Sequence, residues 1–83
     1  MFAWLLFVAL QVSGHGSGSG RTESYATELA KYQATSDADI TCHEKGGNEL
    51  SVVSFTMPEC MTTGRDSYRC DLFASAWCSR SNP

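Results

Sequence analysis

The chain has 83 residues, of which 42% are hydrophobic, and a formal net charge of -3 at pH 7. This length allows one small domain and excludes multidomain enzymes, Rossmann nucleotide-binding domains, barrels and solenoids, all of which need more chain. The acidic balance disfavours cationic membrane lysis and general nucleic-acid binding, so neither a membrane nor a nucleic acid is the expected partner.

The N-terminus has the pattern of a secretory leader. Residues 2–10 form an uncharged apolar run, and small residues follow it up to Gly14. The run is too short for a transmembrane helix, which needs about 20 apolar residues. We therefore predict a signal peptide over residues 1–14 and a secreted, extracellular product with no membrane partner after cleavage. Cleavage is expected after Gly14, with Gly16 and positions up to Gly20 as alternatives. A retained membrane-surface anchor and a buried N-terminal helix are the alternatives.

The segment after the leader is a tract of glycine and serine. Such tracts behave as flexible coil, so residues 15–21 are predicted to be a flexible segment that precedes a single domain over residues 22–83. Thr22 or Ser24 can cap a helix, and apolar residues recur at helical spacing after them, which predicts a helix over about 23–35. The run 37–39, Asp-Ala-Asp, is expected to end it.

The remaining chain favours strands. Residues 40–44 and 50–57 are predicted to pair as a β-hairpin around the turn 45–48, and Pro58 closes the second strand. Apolar residues on both faces of the second strand indicate either two buried faces or a bulge at Val52-Val53. A loop is expected over 62–67 and a third strand from Tyr68, while 72–78 fits either continued strand or a helical turn. The predicted fold class is α+β, a small disulfide-stabilised domain with one N-terminal helix packed on a three-stranded antiparallel sheet.

The four cysteines are predicted to be structural. They are Cys42, Cys60, Cys70 and Cys78, and the intervening segments of 17, 9 and 7 residues lack the short gaps of most zinc sites. No metal or cofactor is therefore predicted. Two disulfides are expected, with three possible connectivities. Cys60 and Cys70 flank a predicted turn, which favours a nested arrangement in which Cys42 bonds to Cys78.

The histidine, acidic, arginine and aromatic residues of the chain allow two kinds of functional site. In a small secreted hydrolase such as a ribonuclease, His43 would be the general base, Glu44 or Glu59 its partner, and Arg65 or Arg69 would hold a phosphate. In a binding protein, aromatic and arginine side chains of the C-terminal third would form the contact surface, because these types dominate binding hot spots. The predicted partner-binding residues are Arg65, Tyr68, Arg69, Phe73 and Trp77. For Trp77, core packing over a disulfide is the alternative.

The sequence favours binding over catalysis. Small secreted domains with disulfides most often act by recognition. We predict a small, monomeric, secreted cysteine-rich protein that binds a partner protein in the manner of effectors, toxins or inhibitors, and is not an enzyme. The sequence does not identify that partner protein. The hydrolase that uses His43 is the alternative.

Overall fold

The computed structural model of the protein describes residues 9–80. It contains one helix and four strands, in the order β1 (Ala9–Gly20), α1 (Glu23–Glu44), β2 (Glu49–Phe55), β3 (Glu59–Gly64) and β4 (Ser67–Ser79). No helix in this part of the chain is long and apolar enough to cross a membrane.

The central strand of the sheet is β4. It pairs antiparallel with β1 along the whole length of β1, from Ala9 opposite Ser79 to Gly20 opposite Tyr68. On its other side β4 pairs antiparallel with β2 and then with β3. The α+β prediction is confirmed, with one helix packed on an antiparallel sheet, but the described part of the sheet has four strands rather than three.

The helix packs against β1 through the smallest side chains in the chain. A row of alanines with Cys42 is fully buried on α1, at four-residue spacing: Ala26, Ala30, Ala34, Ala38. Glycines of β1 at two-residue spacing face this row, and a Cβ added at Gly14, Gly16 or Gly18 would collide with helix backbone. Four residues advance a helix by about 6.0 Å and two residues advance a strand by about 6.7 Å, so the two rows stay in register.

The prediction that residues 15–21 are flexible is therefore wrong for 15–20, which lie in β1. Gly16 and Gly18 of this tract are needed for the close approach of α1, because a Cβ at either would collide with helix backbone. Side chains of α1 also accept hydrogen bonds from the edge of β1 that does not pair with β4. Asp37 Oδ2 accepts a hydrogen bond from the His15 amide and Gln33 Oε1 accepts one from the Ser17 amide, both at 2.9 Å.

The helix is longer than predicted. It begins after Thr22, whose hydroxyl accepts from the Tyr25 amide, as expected for an N-cap, and it continues to Glu44. The predicted break at 37–39 and the predicted strand over 40–44 are wrong. The buried row continues through Ala38 and Cys42, so packing against β1 and β4 outweighs the strand preference of this segment.

The C-terminal strands agree better with the prediction. β2 covers most of the predicted strand over 50–57, and its register with β4 shifts between Val52 and Ser54, which confirms the bulge. Because 40–44 is helical, β2 pairs with β4 instead of forming the predicted hairpin. β3 occupies the first half of the predicted loop over 62–67, and residues 72–78 are strand.

Both predicted disulfides are present. Cys42 bonds to Cys78 and Cys60 bonds to Cys70, so the nested arrangement is confirmed. The first disulfide lies in a buried cluster with Val12, Ala38 and Ala76. It joins the end of α1 to the end of β4, and the second joins β3 to β4.

The predicted leader extends into the described fold. Residues 1–8 lie outside the described residues, whereas residues 9–14 form half of β1, with Val12 buried at 4% exposure. The signal peptide remains a prediction. Cleavage after Gly14 would remove the half of β1 that pairs with residues 74–79 of β4.

Candidate binding face

The sheet has one face covered by α1, here called the inner face, and one face that no other described element covers, the outer face. Side chains of a strand alternate between faces. In β4 the buried residues face α1: Cys70, Leu72, Ala74, Ala76 and Cys78. The alternate residues face outward, and these are Arg69, Asp71, Phe73, Ser75, Trp77 and Ser79. They form the central row of the outer face.

Two aromatic side chains of this row are exposed. Phe73 is 52% and Trp77 is 46% exposed, although both lie on the central strand of the sheet. Between them lies Ser75, which is opposite Ser13 of β1 and Ser54 of β2. The stretch between the two rings is therefore uncharged and lined with hydroxyl groups. Burying exposed aromatic area of this kind against a partner is favourable.

A polar network lies beside Phe73. His15 of β1 is directly opposite Phe73, with the ring centroids 4.9 Å apart. His15 Nε2 and Arg69 Nη2 each lie 3.7 Å from Asp71 Oδ1. Arg69 Nε also donates to Ser17 Oγ at 3.0 Å. These contacts hold the guanidinium and the imidazole on the outer face beside an exposed aromatic ring.

On the side of β4 that faces away from β1, the backbone of Phe73 is held by Thr56. The Phe73 amide donates to Thr56 Oγ1 and the Thr56 amide donates to the Phe73 carbonyl, both at 2.9 Å. Thr56 lies between β2 and β3, where the outer edge of the sheet is interrupted. The threonine therefore continues the pairing of β4 across this gap and keeps Phe73 in line with the rest of its row.

The structure brings together three of the five predicted partner-binding residues. Arg69, Phe73 and Trp77 share the outer face. Tyr68 is half-buried, and strand alternation places it on the inner face opposite Gly20 and Thr62. Arg65 is exposed in the turn between β3 and β4, outside this face. The alternative of core packing for Trp77 is wrong, because its neighbour Cys78, and not Trp77, faces α1.

Sequence reasoning missed His15 and the β1 side of the face. It assigned residues 15–20 to a flexible segment, so His15 had no predicted neighbours. A signal was present, since glycine and a polar residue alternate strictly from Ser13 to Gly20. Strict alternation is the pattern of a strand with one buried face.

Apart from Glu44, which follows His43 directly in α1, the residues of the hydrolase alternative are not brought together. His43 lies in the last turn of α1, half exposed, with its Nε2 3.6 Å from Asp39 Oδ1. Glu59 and Arg69 lie on the part of the sheet near the start of the helix, where Thr27 approaches Cys60. Thr27 and His43 are 16 positions apart along the helix, which corresponds to about 24 Å. His43 therefore has neither Glu59 nor Arg69 as a partner.

The described residues contain no cluster of three or more histidine, cysteine, aspartate or glutamate side chains that could hold a metal ion. All four cysteines are in disulfides, so none supplies a thiol. No protein-family model, curated protein or solved structure matches the chain.

Proposed function

We propose that the protein is a small, monomeric, secreted binding domain that engages a partner protein through the outer face of its sheet. The observation that carries the proposal is the exposure of Phe73 and Trp77 on the central strand. Arg69 and His15, held by Asp71, would supply polar contacts around these rings. Aromatic and arginine residues are the types that contribute most to binding energy.

Two features support an extracellular setting. Both disulfides are of the kind that persists in oxidising compartments. The apolar run over residues 2–10 has the pattern of an export signal. The outer face also rests on a rigid support, since its central strand is paired on both sides. A rigid surface loses little conformational entropy when a partner binds.

The proposal is tested by capture with matched variants. The oxidised full-length protein is immobilised, and proteins retained from extracellular extracts are compared with those retained by the double variant Phe73→Ser/Trp77→Ser. The control is Tyr25→Ser/Tyr32→Ser, which removes two aromatics from α1 that are more exposed than Phe73 and Trp77. We expect one protein to be retained by the wild type and by the control but not by the outer-face variant. Equal retention by all three, or no specific retention, would refute the proposal.

A further inference from the structure

The two disulfides differ in how an external thiol can reach them. Cys42 is 0% and Cys78 is 2% exposed, and the backbone of Gly47 covers both sulfur atoms so closely that a Cβ there would collide with them. The cavity next to Cys78 has a volume of only about 90 Å³. In contrast, Cys60 is partly exposed and lines an open groove of about 490 Å³ between the first turns of α1 and Pro58.

The atoms around the sulfurs also differ. Thr27 Oγ1 donates a hydrogen bond to Cys70 Sγ at 3.5 Å and lies 3.8 Å from Cys60 Sγ. Beside the other disulfide, carbonyl oxygens face the sulfurs: the Cys42 carbonyl lies 3.5 Å from Cys78 Sγ, and the Glu49 carbonyl 3.5 Å from Cys42 Sγ. A carbonyl oxygen, that of Glu23, also lies 3.7 Å from Cys70 Sγ, so the difference between the two disulfides is the Thr27 hydroxyl, which can donate a hydrogen bond to a thiolate.

The helix adds to this asymmetry. Cys70 Sγ lies 3.7 Å from the carbonyl of Glu23, in the first turn of α1, and the Cys42–Cys78 disulfide lies at the last turn. The N-terminal end of a helix favours negative charge and the C-terminal end disfavours it. The Thr27 hydroxyl and the N-terminal end of α1 therefore favour a thiolate at Cys70 over one at Cys42 or Cys78, while the carboxylates of Glu23 and Glu28, which also line the groove, oppose it.

We propose that Cys60–Cys70 is a site of thiol–disulfide exchange with an external dithiol, whereas Cys42–Cys78 is a permanent structural bond. The attacking thiolate enters the groove and bonds to Cys60 Sγ, and the electron pair of the broken S–S bond leaves on Cys70 Sγ. The second thiolate of the dithiol then displaces Cys60 Sγ from the mixed disulfide. The dithiol becomes a cyclic disulfide, the protein gains two electrons, and both cysteines take protons from water.

Exchange would act on one end of the outer face. Cys60 is directly opposite Cys70, and in the described part of the chain β3 pairs only with β4. On the outer face, β3 places Met61 opposite Arg69 and Glu59 opposite Asp71. Reduction would therefore leave β3 held by its hydrogen bonds alone, beside the Arg69 and Asp71 network. The exchange site does not depend on the proposed function, because it rests on the groove and the sulfur contacts.

The test is limited reduction of the native full-length protein with dithiothreitol. Samples taken over time are quenched with acid, alkylated and mapped by mass spectrometry. We expect Cys60 and Cys70 to be alkylated together at least about tenfold faster than Cys42 and Cys78. Reduction of both bonds at the same rate, or of Cys42–Cys78 first, would overturn the proposal.

A variant pair tests the role of the hydroxyl. Thr27→Val keeps the shape of the side chain and removes the donor, so we expect reduction of Cys60–Cys70 to slow by about fivefold. The control is Thr35→Val, since the Thr35 hydroxyl bonds to the Lys31 carbonyl at 2.9 Å in the middle of the helix. An unchanged rate in Thr27→Val, or equal slowing in both variants, would contradict the thiolate contact. If Thr27→Val does not fold, the proposal is tested by the ratio of the reduction rates of Cys60–Cys70 and Cys42–Cys78 in the wild type.

Discussion

At the scale of single residues, the fold depends on glycines, which have no side chain between the backbones of β1 and α1. Gly16 lies against the backbone of Ala30 and Ala34, and a Cβ built on it would overlap the Ala30 carbonyl oxygen. Helix backbone cannot move aside as a flexible side chain can. A single methyl group at this position must therefore separate α1 from β1 or bend one of them.

We predict that Gly16→Ala lowers the free energy of unfolding by at least about 2 kcal/mol, because the added methyl group overpacks a backbone contact. Urea denaturation followed by circular dichroism measures the change. The control is Ser13→Ala, which alters an exposed outer-face position of the same strand and should change the free energy by less than about 0.5 kcal/mol. Equal stability of Gly16→Ala and the wild type would show that α1 does not approach β1 this closely.

At the scale of elements, β1 organises the fold although it has little apolar surface. It pairs with β4 over its full length and lies under most of α1. Val12 adds the one large side chain of β1 that is buried in the core. Because α1 buries only small side chains, it has few contacts that could hold it to β4 alone.

We predict that a chain of residues 15–83 does not fold stably, whereas one of residues 9–83 does. The shorter chain lacks Val12, Gly14 and the pairing with residues 74–79 of β4. Thermal melting of both oxidised chains, followed by circular dichroism, measures this difference. If the 15–83 chain melted at the same temperature as the 9–83 chain, the first half of β1 would be dispensable and cleavage after Gly14 would be compatible with the fold.

The sequence predicted the elements whose local pattern matches their packing. The Thr22 cap, the bulge in β2, the alternation in β4 and the pairing of Cys60 with Cys70 all follow from short-range signals. The errors fall where packing reverses local preference. Residues 40–44 have strand-favouring side chains but continue the buried row of α1, and the glycines of β1 suggest a linker until α1 is placed against them.

The sequence predicted the part of the candidate face that lies on one strand, but not the part that depends on strand pairing. Arg69, Phe73 and Trp77 lie at four-residue intervals on one strand, so alternation alone places them together. Tyr68 and Arg65 were included for their residue types, and the structure places them elsewhere. His15 is 58 residues from Phe73 in the sequence, and only the pairing of β1 with β4 brings the two rings together.

At the scale of the whole molecule, the disulfides close loops of very different length. Cys42 and Cys78 are 36 residues apart, and Cys60 and Cys70 are 10 apart. The loss of chain entropy in the unfolded state gives about 3.8 kcal/mol for the longer loop and about 2.7 kcal/mol for the shorter one. The Cys42–Cys78 disulfide also lies in the core with Val12 and Ala76, so its removal disturbs packing as well.

We predict that Cys42→Ala/Cys78→Ala is the more destabilising double variant and that Cys60→Ala/Cys70→Ala keeps a folded core. Differential scanning calorimetry of the two variants beside the wild type measures the difference. A lower melting temperature for Cys60→Ala/Cys70→Ala than for Cys42→Ala/Cys78→Ala would contradict this ranking. The control is the wild type in alkylating buffer, which shows that its disulfides stay intact during the scan.

The most direct test of the proposed binding face is oxidative footprinting of the aromatic side chains, with and without the captured partner. In the free protein, hydroxyl radicals should modify Phe73 and Trp77, because both are exposed, and also Tyr25 and Tyr32 on α1. With the partner bound, we predict that Phe73 and Trp77 become protected while Tyr25 and Tyr32 are modified as before. Protection of Tyr25 and Tyr32 with unchanged modification of Phe73 and Trp77 would place the binding surface on the helix and contradict the account.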